Sequence, residues 1–182
     1  MRGRCDEPYP LRAPAPSTVV EVIATPPPPP PPYSWSTRDV VVQSLGTNRQ
    51  WWLKASVDQI NATRVVRLRF GTCDGTVQCI SVSSSRSLAH LYSVPAVGVT
   101  AVTLRPDSRK IANAAITMDD TWGQTLNYTE RRATLTHELL HALGMSHDTN
   151  PASVLTPVVG DGAINLGRWD ARKLERIYRY VG

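Results

Sequence analysis

Apolar residues recur along this chain with two different periods. Residues 39–44 (Asp-Val-Val-Val-Gln-Ser) carry three consecutive valines, the mark of a buried strand, and Gly46-Thr47-Asn48 supplies a turn and a helix cap. A helix is expected over about 48–61, with Leu53, Val57 and Ile60 on one face and Trp52 beside it. Strands follow at 65–70, where apolar residues alternate from Val66 to Phe70, and at 77–82. Residues 83–95 read as loop, and 99–104 and 114–118 as two more strands. Asn127-Tyr128-Thr129-Glu130 has the spacing of a capping box, so a second, longer helix is expected from there to about Leu143. The chain closes on an amphipathic helix over 170–180, with Leu174, Ile177 and Tyr178 inward.

Residues 1–37 follow neither period. They hold most of the prolines, including the unbroken run from Pro26 to Pro32, which predicts a polyproline II rod roughly 20 Å long at about 3.1 Å per residue. The division expected is therefore a proline-rich, extended or disordered tail over 1–37 and one globular domain over 38–182. The tail reads as a spacer, with docking to an assembly partner as its alternative role.

Three of the four histidines fall within His137-Glu138-Leu139-Leu140-His141-Ala142-Leu143-Gly144-Met145-Ser146-His147. On a helix, His137 and His141 lie at i and i+4, so their imidazoles leave one face and can share a metal. Glu138 sits one residue round, beside such a metal and suited to act as a general base. Gly144 permits a left-handed reversal that returns His147 as a third ligand. Three protein ligands leave one position of a tetrahedral zinc for water, the arrangement of a catalytic site.

The extended pattern H-E-x-x-H-x-x-G-x-x-H resembles that of the metzincin zinc endopeptidases, most of all the matrixin (matrix metalloproteinase) branch and its small bacterial relatives; Asp148 after the third histidine is also similar to the adamalysin branch. The resemblance implies an α+β fold over about 38–182: a five-stranded mixed, twisted sheet, a second long helix, the active-site helix and a C-terminal helix. It implies one catalytic zinc ion, a peptide or protein substrate, and hydrolysis by a metal-activated water with Glu138 as base. Residues 99–104 correspond to an edge strand able to hold an extended peptide, which makes Val99, Thr100, Ala101 and Val102 candidate substrate-binding residues. Pro157 and Val158 match the outer wall of the S1′ pocket, so an apolar residue is expected just after the cut. Activity is expected to fail below about pH 5, as protonated histidines release metal.

The chain departs from the pattern at one place. Metzincins keep a methionine turn beneath the metal, and Ser153-Val154-Leu155-Thr156-Pro157 puts Leu155 at that position. A swap of similar volume usually costs less than about 1.5 kcal/mol, so Gly144 and Leu155 are still expected to support the site. A catalytically weak zinc-stabilised binding module, or a protease restricted to one partner, is the alternative function. Calcium is possible for the family and is not indicated by any residue here. His90 is a lone histidine in a loop and reads as a packed or surface residue.

Net charge and cysteines add little to this picture. All but three of the 20 basic residues are arginine and the net charge is +5, but the arginines are scattered, so a well-mixed surface is expected and no nucleic-acid partner. No apolar run is long enough for a membrane span, and no signal peptide is visible. The family resemblance implies an extracellular or secreted setting; association with a virion or release by lysis are the other routes. Cys73 and Cys79 flank a turn-prone segment and form a local disulfide or remain two buried thiols. Arg4-Cys5-Asp6-Glu7-Pro8 is similar to the core of the matrixin cysteine switch, but it lacks that motif's glycine and aspartate, and an ordinary tail cysteine is the preferred reading.

Overall fold

A computed structural model of the chain describes residues 32–47, 49–75, 78–88, 96–106, 108–157 and 162–181. Five strands, β1 (Asp39–Ser44), β2 (Arg67–Phe70), β3 (Cys79–Ser85), β4 (Gly98–Leu104) and β5 (Ile111–Asp119), form one sheet in the order β2-β1-β3-β5-β4. Strands β1, β2, β3 and β5 run parallel, and β4 pairs antiparallel with β5 at the edge. The helices are α1 (Leu53–Asn61), α2 (Asp120–Thr125), α3 (Tyr128–Ala142) and α4 (Arg168–Tyr178), with a 3-10 turn at Arg49–Trp51. This is the mixed-sheet α+β architecture expected from the sequence.

One core forms where alternate residues of the central strands meet the helices. Val40 and Val42 of β1, Ile80 and Val82 of β3, and Ala114 and Ile116 of β5 are buried together with Val57 and Ile60 of α1 and Leu135 and Leu139 of α3. Helix α1 packs on α3, and α3 packs on β4 and β5. The edge strand and the second long helix are thereby held against each other.

Several boundaries differ from the sequence expectation. The helix expected over 48–61 is interrupted at Trp52, whose φ of 54° lies in the left-handed region. Trp51, not Trp52, is consequently the buried ring, and its indole N–H donates to Asp120 Oδ1 at 2.9 Å. Trp52 stays half exposed, edge-on to Tyr128. The serines at 83–85, read as loop, continue β3 because β5 offers them ladder partners out to Asp119. Helix α2 was not expected; Asp119 caps it, accepting from Trp122 N–H at 2.9 Å. The final helix begins at Arg168, earlier than the expected residue 170.

The packing also begins before residue 38. Tyr33 and Trp35 are buried in the main core, so residues counted in the tail are part of the domain. Both are large apolar side chains, and proline composition masked that signal. The proline run up to Pro31, Cys5 and His90 lie outside the described residues. Cys73 and Cys79 are joined as a disulfide with Cα atoms 5.6 Å apart. Among the described residues, no helix is long and apolar enough to cross a membrane.

Candidate metal centre

Helix α3 starts polar and ends buried. Asn127 accepts from the N–H groups of Thr129 and Glu130, and Glu130 accepts from Asn127 N–H, closing the capping box read in the sequence. From Thr134 to Ala142 every residue is buried. The helix ends in a Schellman motif: Met145 N–H donates to Leu140 O at 3.1 Å and Gly144 N–H to His141 O at 2.8 Å. Gly144 has φ 91°, and a Cβ there would collide with the Tyr33 carbonyl oxygen, so glycine is required twice over. Trp35 and Tyr178 take up carbonyls left over at this helix end. The Trp35 indole N–H donates to Ala142 O at 3.0 Å and the Tyr178 hydroxyl to Leu143 O at 3.1 Å.

The reversal at Gly144 brings His147 back to His137 and His141. Ligand atoms of the three histidines lie within 4.8 Å of one another, and the Nε2 atoms of His137 and His141 are 2.9 Å apart. His137 Nδ1 is 2.8 Å from Val154 O, and His141 Nδ1 is 2.7 Å from Met145 O. Those carbonyls can only accept, so each Nδ1 carries the proton and each Nε2 presents a lone pair. Burial pushes His137 down to about 4, against the Val154 carbonyl and with help from His147. Burial likewise holds His141 well below the usual imidazole range, with the neighbouring histidines adding to it. Two neutral imidazoles aiming lone pairs at each other repel unless a cation lies between them. The donor set therefore fits zinc, which takes neutral imidazole nitrogen.

Helix α4 braces this cluster from beneath. Buried Asp170 accepts from Ser153 Oγ at 2.5 Å and from Val154 N–H at 3.3 Å, fixing the turn whose Val154 carbonyl orients His137. Leu155 is fully buried, and its carbonyl accepts from Asp148 N–H at 2.9 Å. Asp148, next to His147, accepts from Trp169 at 2.7 Å and from Lys173 at 2.8 Å. Burial raises the Asp148 carboxyl, but these bonds and that from the Asn150 N–H outweigh it and hold the group at about 2.

Glu138 is fully buried on the β4 side of α3. The Thr100 hydroxyl donates to Glu138 Oε2 at 2.6 Å. A Cβ at Gly98 would lie 2.9 Å from Glu138 Cγ, so that glycine makes the room the carboxylate occupies. Strand β4 is the sheet edge expected for residues 99–104, and among the described residues nothing pairs with its outer side. Val99, Thr100 and Val102 have buried side chains and Ala101 is half-buried, so what the edge presents is chiefly main chain. Pro157 is exposed, and Val158 lies outside the described residues.

Sequence reasoning overlooked Gly98, Asp170 and the side chain of Thr100. Asp170 carried a legible signal, an acidic residue at a position that helical spacing places beside Leu174 on the inward face of α4. Gly98 and Thr100 carried none, because their importance depends on which helix lies across the strand.

The solved structure of myroilysin superposes with a TM-score of 0.53 at 13% sequence identity, covering 89% of this chain and 91% of that one, which shows a shared fold. Metalloproteinase-II from Bacteroides fragilis aligns at a TM-score of 0.46 and 11% identity over 91% of this chain and 58% of its own. No curated protein matches the chain in sequence. The matrixin family profile, however, matches residues 60–179, which take in the last two residues of α1, the strands from β2 onward, the histidine cluster and α4. The chain belongs to the matrixin family and is a zinc metalloendopeptidase.

Proposed function

We propose that His137, His141 and His147 hold one zinc ion and that Glu138 is the general base of peptide-bond hydrolysis. The observation that carries the reading is the convergence of three imidazoles on the face of α3 from which Glu138 also departs. A bound zinc ion would lower the pKa of a coordinated water to about 7 and polarise the scissile carbonyl. Glu138 takes a proton from the attacking water and returns it to the leaving amine. Thr100, bonded to Glu138 Oε2, fixes the rotamer of that carboxylate.

The substrate lies extended along the outer side of β4, antiparallel to it, and bonds to main-chain groups of Val99 to Val102. The side chains of Val99, Thr100 and Val102 are buried and that of Ala101 half-buried, so this strand supplies alignment and little side-chain selectivity. Selectivity falls to the far wall, where Pro157 and Val158 favour an apolar residue after the scissile bond. Leu155 fills the space under the histidines in place of methionine.

Comparison of wild type with Glu138→Ala tests the assignment, using zinc content and cleavage of unfolded casein. Both forms are expected to bind one zinc ion, and the variant to lose roughly a hundredfold to ten-thousandfold in rate. Zinc-loaded wild type that cleaves no faster than Glu138→Ala would mean a zinc-stabilised module in place of a general endopeptidase.

A further inference from the structure

Away from the histidines, a cavity of about 420 Å³ opens between the outer face of α4, the start of β1 and the segment after α1. Its charged lining is Arg38, Arg64, Arg168, Arg172 and Arg179, with Glu175 as the one acid. Arg168, Arg172, Glu175 and Arg179 fall at i, i+4, i+7 and i+11, a stripe on the face of α4 away from buried Leu174 and Tyr178. Arg38 and Arg64 join this stripe from more than 100 residues away in sequence. Among the described residues, no carboxylate forms an ion pair with Arg64, Arg168, Arg172 or Arg179.

All six charged residues are exposed, and two details set the cluster apart from scattered surface charge. The guanidinium of Arg38 is fixed by donating to Tyr178 O and Val181 O, each at 2.9 Å, and is therefore held in place before any ligand arrives. Arg64 has φ 59°, a left-handed conformation that glycine would adopt at less cost. All five cations are guanidinium, the group whose planar fork matches oxyanions in pairs.

We propose that this cavity binds a compact polyanion bearing phosphate or sulfate groups. The volume suits a small, densely charged molecule, and the several convergent forks suit one with more than one oxyanion. Glu175 tempers the field and disfavours a single weak carboxylate.

Calorimetric titration of the full chain with tripolyphosphate and with sucrose octasulfate tests the site, at low and at moderate salt. Binding of either anion, weakening as salt rises, is the expected result. Arg64→Gly combined with Arg172→Glu is expected to weaken that binding by at least about tenfold with zinc content and Tm preserved. Arg172→Glu alone is expected to weaken it severalfold, which keeps the test open if the double variant folds poorly. Arg67→Glu with Arg69→Glu removes more positive charge from β2, outside the cavity, and is expected to bind nearly as wild type. Failure of both anions to bind wild type, or an equal loss in the β2 variant, would overturn the proposal.

Discussion

The histidine cluster and the arginine cavity are both polar constellations, and both lean on α4, yet they are built in opposite ways. His137 and His141 are buried and oriented by carbonyls, His147 is half-buried, and all three lie on one stretch of eleven residues. The arginines are all exposed and drawn from three distant segments. Low dielectric and fixed dipoles make the first site selective for a metal that accepts neutral donors. Exposure to solvent makes the second responsive to salt. Helix α4 serves both because its two faces differ: Asp170, Lys173 and Trp169 reach toward the metal centre, while Arg168, Arg172 and Arg179 face away.

The contrast predicts unequal sensitivity to backbone change. Gly144→Ala puts a Cβ into the Tyr33 carbonyl at a left-handed residue, and should cost about 3 kcal/mol or more, roughly 10 °C in Tm, measured by thermal unfolding. By comparison, Arg64→Gly relieves the same kind of backbone conformation and should hold or raise Tm. A Gly144→Ala protein as stable as wild type would show that the reversal is softer than its contacts suggest.

Response to acid should separate the two sites next. His137 titrates near 4 in the folded chain and near 6.5 when unfolded, so between these values the unfolded chain binds more protons. Stability of the metal-free protein should therefore be fully present above pH 6.5 and be lost as pH falls toward 4. A Tm drop of roughly 5 °C or more across that window is expected by scanning calorimetry. Octasulfate binding should stay nearly level from pH 8 to pH 5, because no histidine lines that cavity.

The smallest effect concerns Thr100. Thr100→Val keeps the shape and removes the hydroxyl that holds Glu138, so kcat on casein should fall about tenfold with little change in KM. Thr100→Ser should recover most of the rate. If the valine variant matches wild type, the bond serves packing and the Glu138 carboxylate is oriented by the helix alone.

Much of the fold was legible because its signals are local. The valines of β1, the capping box at Asn127 and Glu130, and the inward Leu174 and Tyr178 each announce an element within a few residues. Errors fell where a distant partner overrides the local pattern. Trp52 broke an otherwise continuous helix pattern, and Asp120 drew in Trp51 in its stead. The serines at the end of β3 looked like loop until β5 supplied a ladder. Proline content hid Tyr33 and Trp35, whose burial depends on the end of α3.

By itself the sequence determined the spacing of the three histidines, the glycine that reverses the chain among them, and the order of the strands and the longer helices, because helical and strand periods are properties of neighbouring residues. Tertiary structure alone decided that β4 lies at the edge, that Thr100 and Gly98 meet Glu138, that Asp170 props the turn under His137, and that five scattered arginines share one cavity. Each of these is a contact between segments far apart in the chain. Such contacts arise only when burying the core brings the segments together.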